Sequence, residues 1–122
     1  MKLLLGIGGS PDGIDALERT LERVAETGDD LTVALLDTVS TDYDLDELEQ
    51  KARERIDASD VAAETRRVPG HPGSKLTEIA QREGFDRIVL GGGQRSPMGK
   101  INLGEVAEFV LLNADISVTL VR

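Results

Sequence analysis

Residues 2–7 (KLLLGI) form a nearly unbroken apolar run that stops at Gly8, Gly9, Ser10 and Pro11. That is the pattern of a strand buried on both faces and ended by a turn. Ser10 suits a helix N-cap and Pro11 the first helical position. Ile14, Leu17, Leu21 and Val24 then recur at spacings of three and four, an apolar stripe along one helix face, and Gly28 closes that helix. Residues 31–36 (LTVALL) predict a second strand, with Asp37 and Thr38 at its carboxyl end. Leu45, Leu48, Ala52 and Ile56 mark a heavily charged helix over about 43–58. Residues 61–68 (VAAETRRV) alternate more weakly and suit a sheet edge. A third helix, with Leu76, Ile79 and Ala80, is predicted from Pro72 to Gly84, and a fourth strand over 86–91 (DRIVLG). A polar, glycine-rich loop from Gly92 to about Lys100 follows. The spacing then predicts a helix over about 103–113, carrying Val106, Val110 and Leu111, and a last strand over 116–121 (ISVTLV).

Strict alternation of strands and helices implies right-handed crossovers and a parallel sheet covered on both faces, an α/β fold. No repeat, linker or low-complexity tract interrupts it, so residues 1–122 read as one domain. Periodicity leaves the strand order open between 2-1-3-4-5 and 3-2-1-4-5. Both orders put a crevice beside the carboxyl end of the first strand.

Composition narrows the function. With no cysteine, thiol catalysis, Fe–S clusters and disulfides are excluded. A single histidine, His71, leaves no second imidazole for a multi-histidine metal site. Preceding Pro72 at a helix start, it is expected to cap or shape the turn. The 14 basic residues against 23 acidic ones give a net charge of −9, the wrong sign for a nucleic-acid binder or a polybasic membrane binder. Four lysines against ten arginines and 2% aromatics suit a halophile's cytoplasm, where salt screens self-repulsion. No apolar stretch approaches the roughly 18 residues of a membrane span, and the N-terminal run is too short for a signal peptide, so a cytoplasmic protein is expected. The acidic run Asp42, Asp44, Asp46, Glu47, Glu49 lacks the regular register and central glycine of a calcium loop and reads as a solvated helix start.

Ligand chemistry belongs beyond the carboxyl ends of the strands. The sequence delivers there Gly8-Gly9-Ser10, Asp37-Thr38 and the loop Gly91 to Lys100. Three consecutive glycines allow close approach to the backbone, and Arg95 and Lys100 can meet anionic oxygens. The helix starting near Gly104 offers unpaired N–H groups suited to phosphate. No GxxxxGK[ST] loop is present, and no GxGxxG opens a helix.

The turn LLLGIGGS, the segments VPGHPGSKLTEIA and GFDRIVLGGG, and above all GKINLGEVAEFVLLNADISVTLVR give the chain a resemblance to the universal stress protein family over essentially its full length. The resemblance implies the 3-2-1-4-5 order, a Rossmann-like sheet of the adenine nucleotide alpha hydrolase kind, and a homodimer through Ile116 to Val121. It also implies ATP binding in one branch of the family and not in another. The family's Gly-x2-Gly-x9-Gly-(Ser/Thr) signature maps here with Gly91 as the first glycine and Gly104 as the last. Gln94 replaces the middle glycine, and Glu105 the phosphate-binding hydroxyl. Gly8 stands where ATP-binding members carry an aspartate near the ribose. Thr38 corresponds to a backbone contact with the base, and Leu90 and Val106 to positions flanking the nucleotide.

Glu105 is the weightiest departure. A carboxylate in a helix's first turn is favoured by the dipole, competes with phosphate for the same N–H groups and repels it, unless a divalent cation such as Mg²⁺ bridges the two. The expectation is therefore a non-enzymatic, homodimeric regulatory or protective domain whose degenerate pocket binds ATP weakly or not at all. The alternative is an ATP- or AMP-binding switch or slow ATPase.

Overall fold

The computed structural model describes residues 1–38, 42–91, 94–95, 101–102 and 104–121, with the backbone path alone at 94–95 and 101–102. The elements run β1 (Lys2–Ile7), α1 (Pro11–Thr27), β2 (Asp30–Leu36), α2 (Leu45–Asp57), β3 (Ala63–Val68), α3 (Pro72–Arg82), β4 (Arg87–Gly91), β5 (Gln94–Arg95), β6 (Ile101–Asn102), α4 (Glu105–Asn113) and β7 (Ser117–Val121). Five of the strands form one parallel sheet in the order β3-β2-β1-β4-β7, which is 3-2-1-4-5 counting only those five and resolves the choice that periodicity left open.

β1 lies at the centre, with Leu5 opposite Val33 on one side and Val89 on the other. Its alternate residues enter two cores, which is why the run is apolar at nearly every position. Leu5 and Ile7 join Leu17 of α1, Leu35 of β2 and Leu48 of α2 on one face of the sheet. Leu4 joins Leu36, Leu76 of α3, Ile88 and Val110 of α4 on the other. All four residues of the predicted α1 stripe are buried, and Gly28 ends the helix in the left-handed region at φ 75°, a conformation that favours glycine.

The two edges differ. β3 carries Glu64, Arg66 and Arg67, and its arginines pair outward, Arg66 with Glu83 at 2.8 Å and Arg67 with Glu49 at 3.2 Å. β7 (SVTLV) carries no charge.

Four elements depart from expectation. α2 begins at Leu45 rather than about 43 because Asp44 and Glu47 close a capping box. β3 begins at Ala63, two residues after the expected start. The stretch expected as one loop contains β5, whose Gln94 and Arg95 pair antiparallel with Asn102 and Ile101 of β6. In α4, Ala107 and Val110 face the core, whereas Leu111 is 43% exposed and Leu112 84% exposed. Leu111 is thus a surface residue, contrary to its place in the expected stripe. Among the described residues no helix is long and apolar enough to cross a membrane.

Candidate functional site

The strand order reverses between β1 and β4, so the chain leaves these paired neighbours in different directions, β1 toward α1 and β4 toward α4. A crevice at their carboxyl ends follows from that divergence.

The four main helix starts divide into two kinds. Asp44 caps α2 by accepting the Glu47 N–H at 2.8 Å. His71 caps α3, its Nδ1 accepting the Ser74 N–H at 3.0 Å, which fulfils the capping role expected of it. Neither α1 nor α4 has a side-chain cap: Ser10 occupies the N-cap position with an extended backbone but makes no capping bond, and Gly104 has no side chain to offer. The two helices without caps are those that leave the strands on either side of the switch point. Their first N–H groups and dipoles favour an anion. Acidic side chains sit in the same turns, Asp12 in α1 and Glu105 and Glu108 in α4.

The exits of β1 and β2 are knitted together. A Cβ on Gly8 would lie 2.8 Å from Thr38 Oγ1 and 3.0 Å from its Cγ2, so the Thr38 side chain fills the space above Gly8. Thr38 Oγ1 also accepts the Gly9 N–H at 3.4 Å, and the Tyr43 N–H donates to the Gly9 carbonyl at 2.9 Å. Beside this junction lies an open pocket of about 280 Å³, lined by Gly9, Asp37, Thr38, Tyr43 and Asp44 among others. Of its two carboxylates, Asp44 is taken up by the α2 cap, and both carry a charge that opposes phosphate.

The candidate residues fall into four groups. Gly8 and Thr38 are in contact, as described. Gly91, Gly104 and Glu105 lie along the β4-to-α4 connection. Gly91 ends β4 facing α1, where a Cβ on it would stand 3.6 Å from that of Ala16; Gly104 is the N-cap of α4, and Glu105 is exposed. Leu90 and Val106 belong to the core beneath α3 and α4, Leu90 being buried and Val106 half-buried. Gln94 and Arg95 are placed by backbone only, in β5, and Lys100 lies outside the described residues. Tyr43 is a residue that sequence reasoning missed. The signal that could have found it is the Asp44-x-x-Glu47 capping box, which fixes the start of α2 and so sets Tyr43 against Gly9. Among the described residues no group of three histidine, aspartate or glutamate side chains is arranged to hold a metal ion.

Proteins of known structure share this architecture over the whole chain. A universal stress protein from Archaeoglobus fulgidus is similar at 22% identity and a TM-score of 0.78, covering 100% of this chain and 98% of its own. A universal stress protein in complex with cAMP is 24% identical at a TM-score of 0.78, covering 100% and 96%. The Archaeoglobus fulgidus protein in complex with dAMP is 17% identical at 0.72, covering 100% and 98%. No curated protein sequence matches significantly. These likenesses carry the fold, and the model of the universal stress protein family matches residues 1–122. The chain belongs to the universal stress protein family.

Proposed function

We propose that this protein is a non-catalytic regulatory domain of the stress-protein kind, whose nucleotide pocket takes ATP weakly. The observation that carries the reading is the start of α4, where an N-terminus without a side-chain cap is followed immediately by exposed Glu105. The N–H groups attract a phosphate and the carboxylate opposes it. The filled space above Gly8 supports the same reading, since an aspartate there would collide with Thr38. A regulatory role rather than an enzymatic one is supported by His71, the chain's single imidazole, whose Nδ1 is engaged by the Ser74 N–H.

A second reading, a nucleotide-dependent switch, is favoured by Gly104. It has φ −70°, and among the described residues nothing lies within 4 Å of where a Cβ would stand, so neither backbone strain nor packing against them calls for glycine. Its bareness leaves a ligand room to approach the helix, and solved relatives have been crystallised with cAMP and dAMP. Calorimetric titration with ATP separates the two readings. The weak-pocket reading expects no binding heat below about millimolar ATP without Mg²⁺, and stronger binding with it, because a bridging cation reverses the sign at Glu105. Submicromolar binding without Mg²⁺ would favour the switch.

The same reading includes a homodimer through the uncharged β7 edge, supported by the contrast with β3 and by exposed Leu111 and Leu112 on the helix leading into it. It also includes residence in a salt-rich cytoplasm, supported by the net charge of −9.

A further inference from the structure

From the amino end of β4 to the carboxyl end of β7, a groove of about 210 Å³ runs between α1 and the sheet, one wall belonging to the β7 edge proposed above as the dimer seam. Three arginines line it, in a chain where acidic residues far outnumber basic ones. Arg19 and Arg23 are one helical turn apart on α1, a like-charge spacing that disfavours the helix, and among the described residues neither makes an ion pair. Arg87 comes from the first position of β4. One of its terminal nitrogens donates to Thr119 Oγ1 at 3.0 Å, while its Nε is buried without a partner, the one such side-chain nitrogen or oxygen among the described residues.

The lining carboxylate, Asp29, is already engaged, accepting from the Met1 amino group at 2.7 Å and from the Thr27 hydroxyl at 2.8 Å. Its charge also acts on Arg87, while Arg19, flanked by Asp15 and Glu22 on α1, and Arg23 border the groove from the helix side. The rest of the wall is largely aliphatic and includes Val24, Val89 and Val121. The volume equals the liquid share of about seven waters, below the roughly 300 Å³ where pockets for drug-sized ligands begin. A chain of a few carbons fits it better than a nucleotide.

We propose that this groove binds a small organic carboxylate with a short alkyl tail, its anionic end among Arg19, Arg23 and Arg87 and its tail against Val24, Val89 and Val121. Arginine's planar fork matches a carboxylate, and a buried N–H that lacks a partner gains one. Arg87, which opens β4, sets the anionic end at the amino end of that strand, away from the nucleotide pocket, and the tail runs along the sheet toward Val121, the register partner of Gly91.

The test is a titration of the full chain with sodium hexanoate, followed by amide chemical shifts, with hexanol as the uncharged control. The expected result is saturable shifts confined to the second half of α1 and to β4 and β7, with hexanol binding about tenfold or more weakly. Arg19→Gln with Arg23→Gln, both on the exposed flank of α1, should weaken hexanoate by about tenfold, and Arg87→Gln should do the same if it folds. Absence of saturable binding, equal binding of hexanol, or an unchanged affinity in the Arg19→Gln/Arg23→Gln variant would overturn the proposal. The first outcome would mean that water satisfies Arg87 Nε or that a second copy closes the groove.

Discussion

The Thr38 side chain occupies the space that a Cβ on Gly8 would need, its Oγ1 2.8 Å and its Cγ2 3.0 Å from that point. Gly8 is not among the glycines at positive φ, so contact rather than backbone strain keeps this position bare. Gly8→Ala should therefore destabilise the fold by about 1–3 kcal/mol through overpacking. Thr38→Ala, which removes both crowding atoms, should relieve most of that cost. Urea unfolding of the two single variants and the double variant measures the coupling; strictly additive effects would show that the two residues do not contend for the same space.

His71 has two jobs at the start of α3, accepting the Ser74 N–H and setting its ring edge against Phe109 at a centroid distance of 4.9 Å. Replacing it separates them. His71→Asn retains a capping acceptor and loses the ring contact, whereas His71→Ala loses both and should cost about 0.5–2 kcal/mol more through the missing cap. Equal melting temperatures for the two variants would remove the cap from the account of α3 stability.

Much of this architecture is legible in the sequence because local signals and the fold agree. Pro11 and Gly28 bracket α1 as expected, and the apolar runs at 2–7 and 31–36 are the central strands. Periodicity does not reveal the strand order, because each strand carries the same buried pattern wherever it lies in the sheet; the order comes from resemblance and is borne out. Periodicity also misplaces Leu111, since α4 has apolar residues on more than one face and only contacts decide which of them turn inward. Among the candidate site residues, Glu105 is picked out by its place in the glycine signature, and Gly8 and Thr38 by the family resemblance at the exits of the first two strands. The closeness of Gly8 to Thr38 is not, because it depends on the side-chain direction at the exit of a neighbouring strand.

The net charge of −9 predicts that salt stabilises the fold. At 10 mM ionic strength the Debye length is about 30 Å and repulsion spans the domain; at 1 M it is about 3 Å and repulsion is mostly screened. The melting temperature should rise with KCl across that range. A flat or falling trend would show that self-repulsion is not a significant term and would take away the main support for a halophilic setting.

At the β7 edge, Val118 is half-buried and one row of backbone groups is left without a strand partner within the described sheet. Val118→Lys or Val118→Pro should shift the mass measured by light scattering from dimer toward monomer. A monomeric wild type, or a variant dimer as stable as the wild type, would exclude this edge as the interface.

On the proposed reading, Glu105 at the start of α4 is what keeps phosphate weakly bound. The most direct measurement of this is calorimetric titration of ATP, without Mg²⁺, into the wild type and into the Glu105→Ser/Gln94→Gly variant, which restores the hydroxyl and the glycine of the nucleotide signature. The wild type should show no binding heat below about millimolar ATP, and the variant should bind at least about tenfold more tightly as a repulsive charge becomes a hydrogen-bond donor. An affinity unchanged by the double substitution, or submicromolar binding by the wild type, would contradict the account.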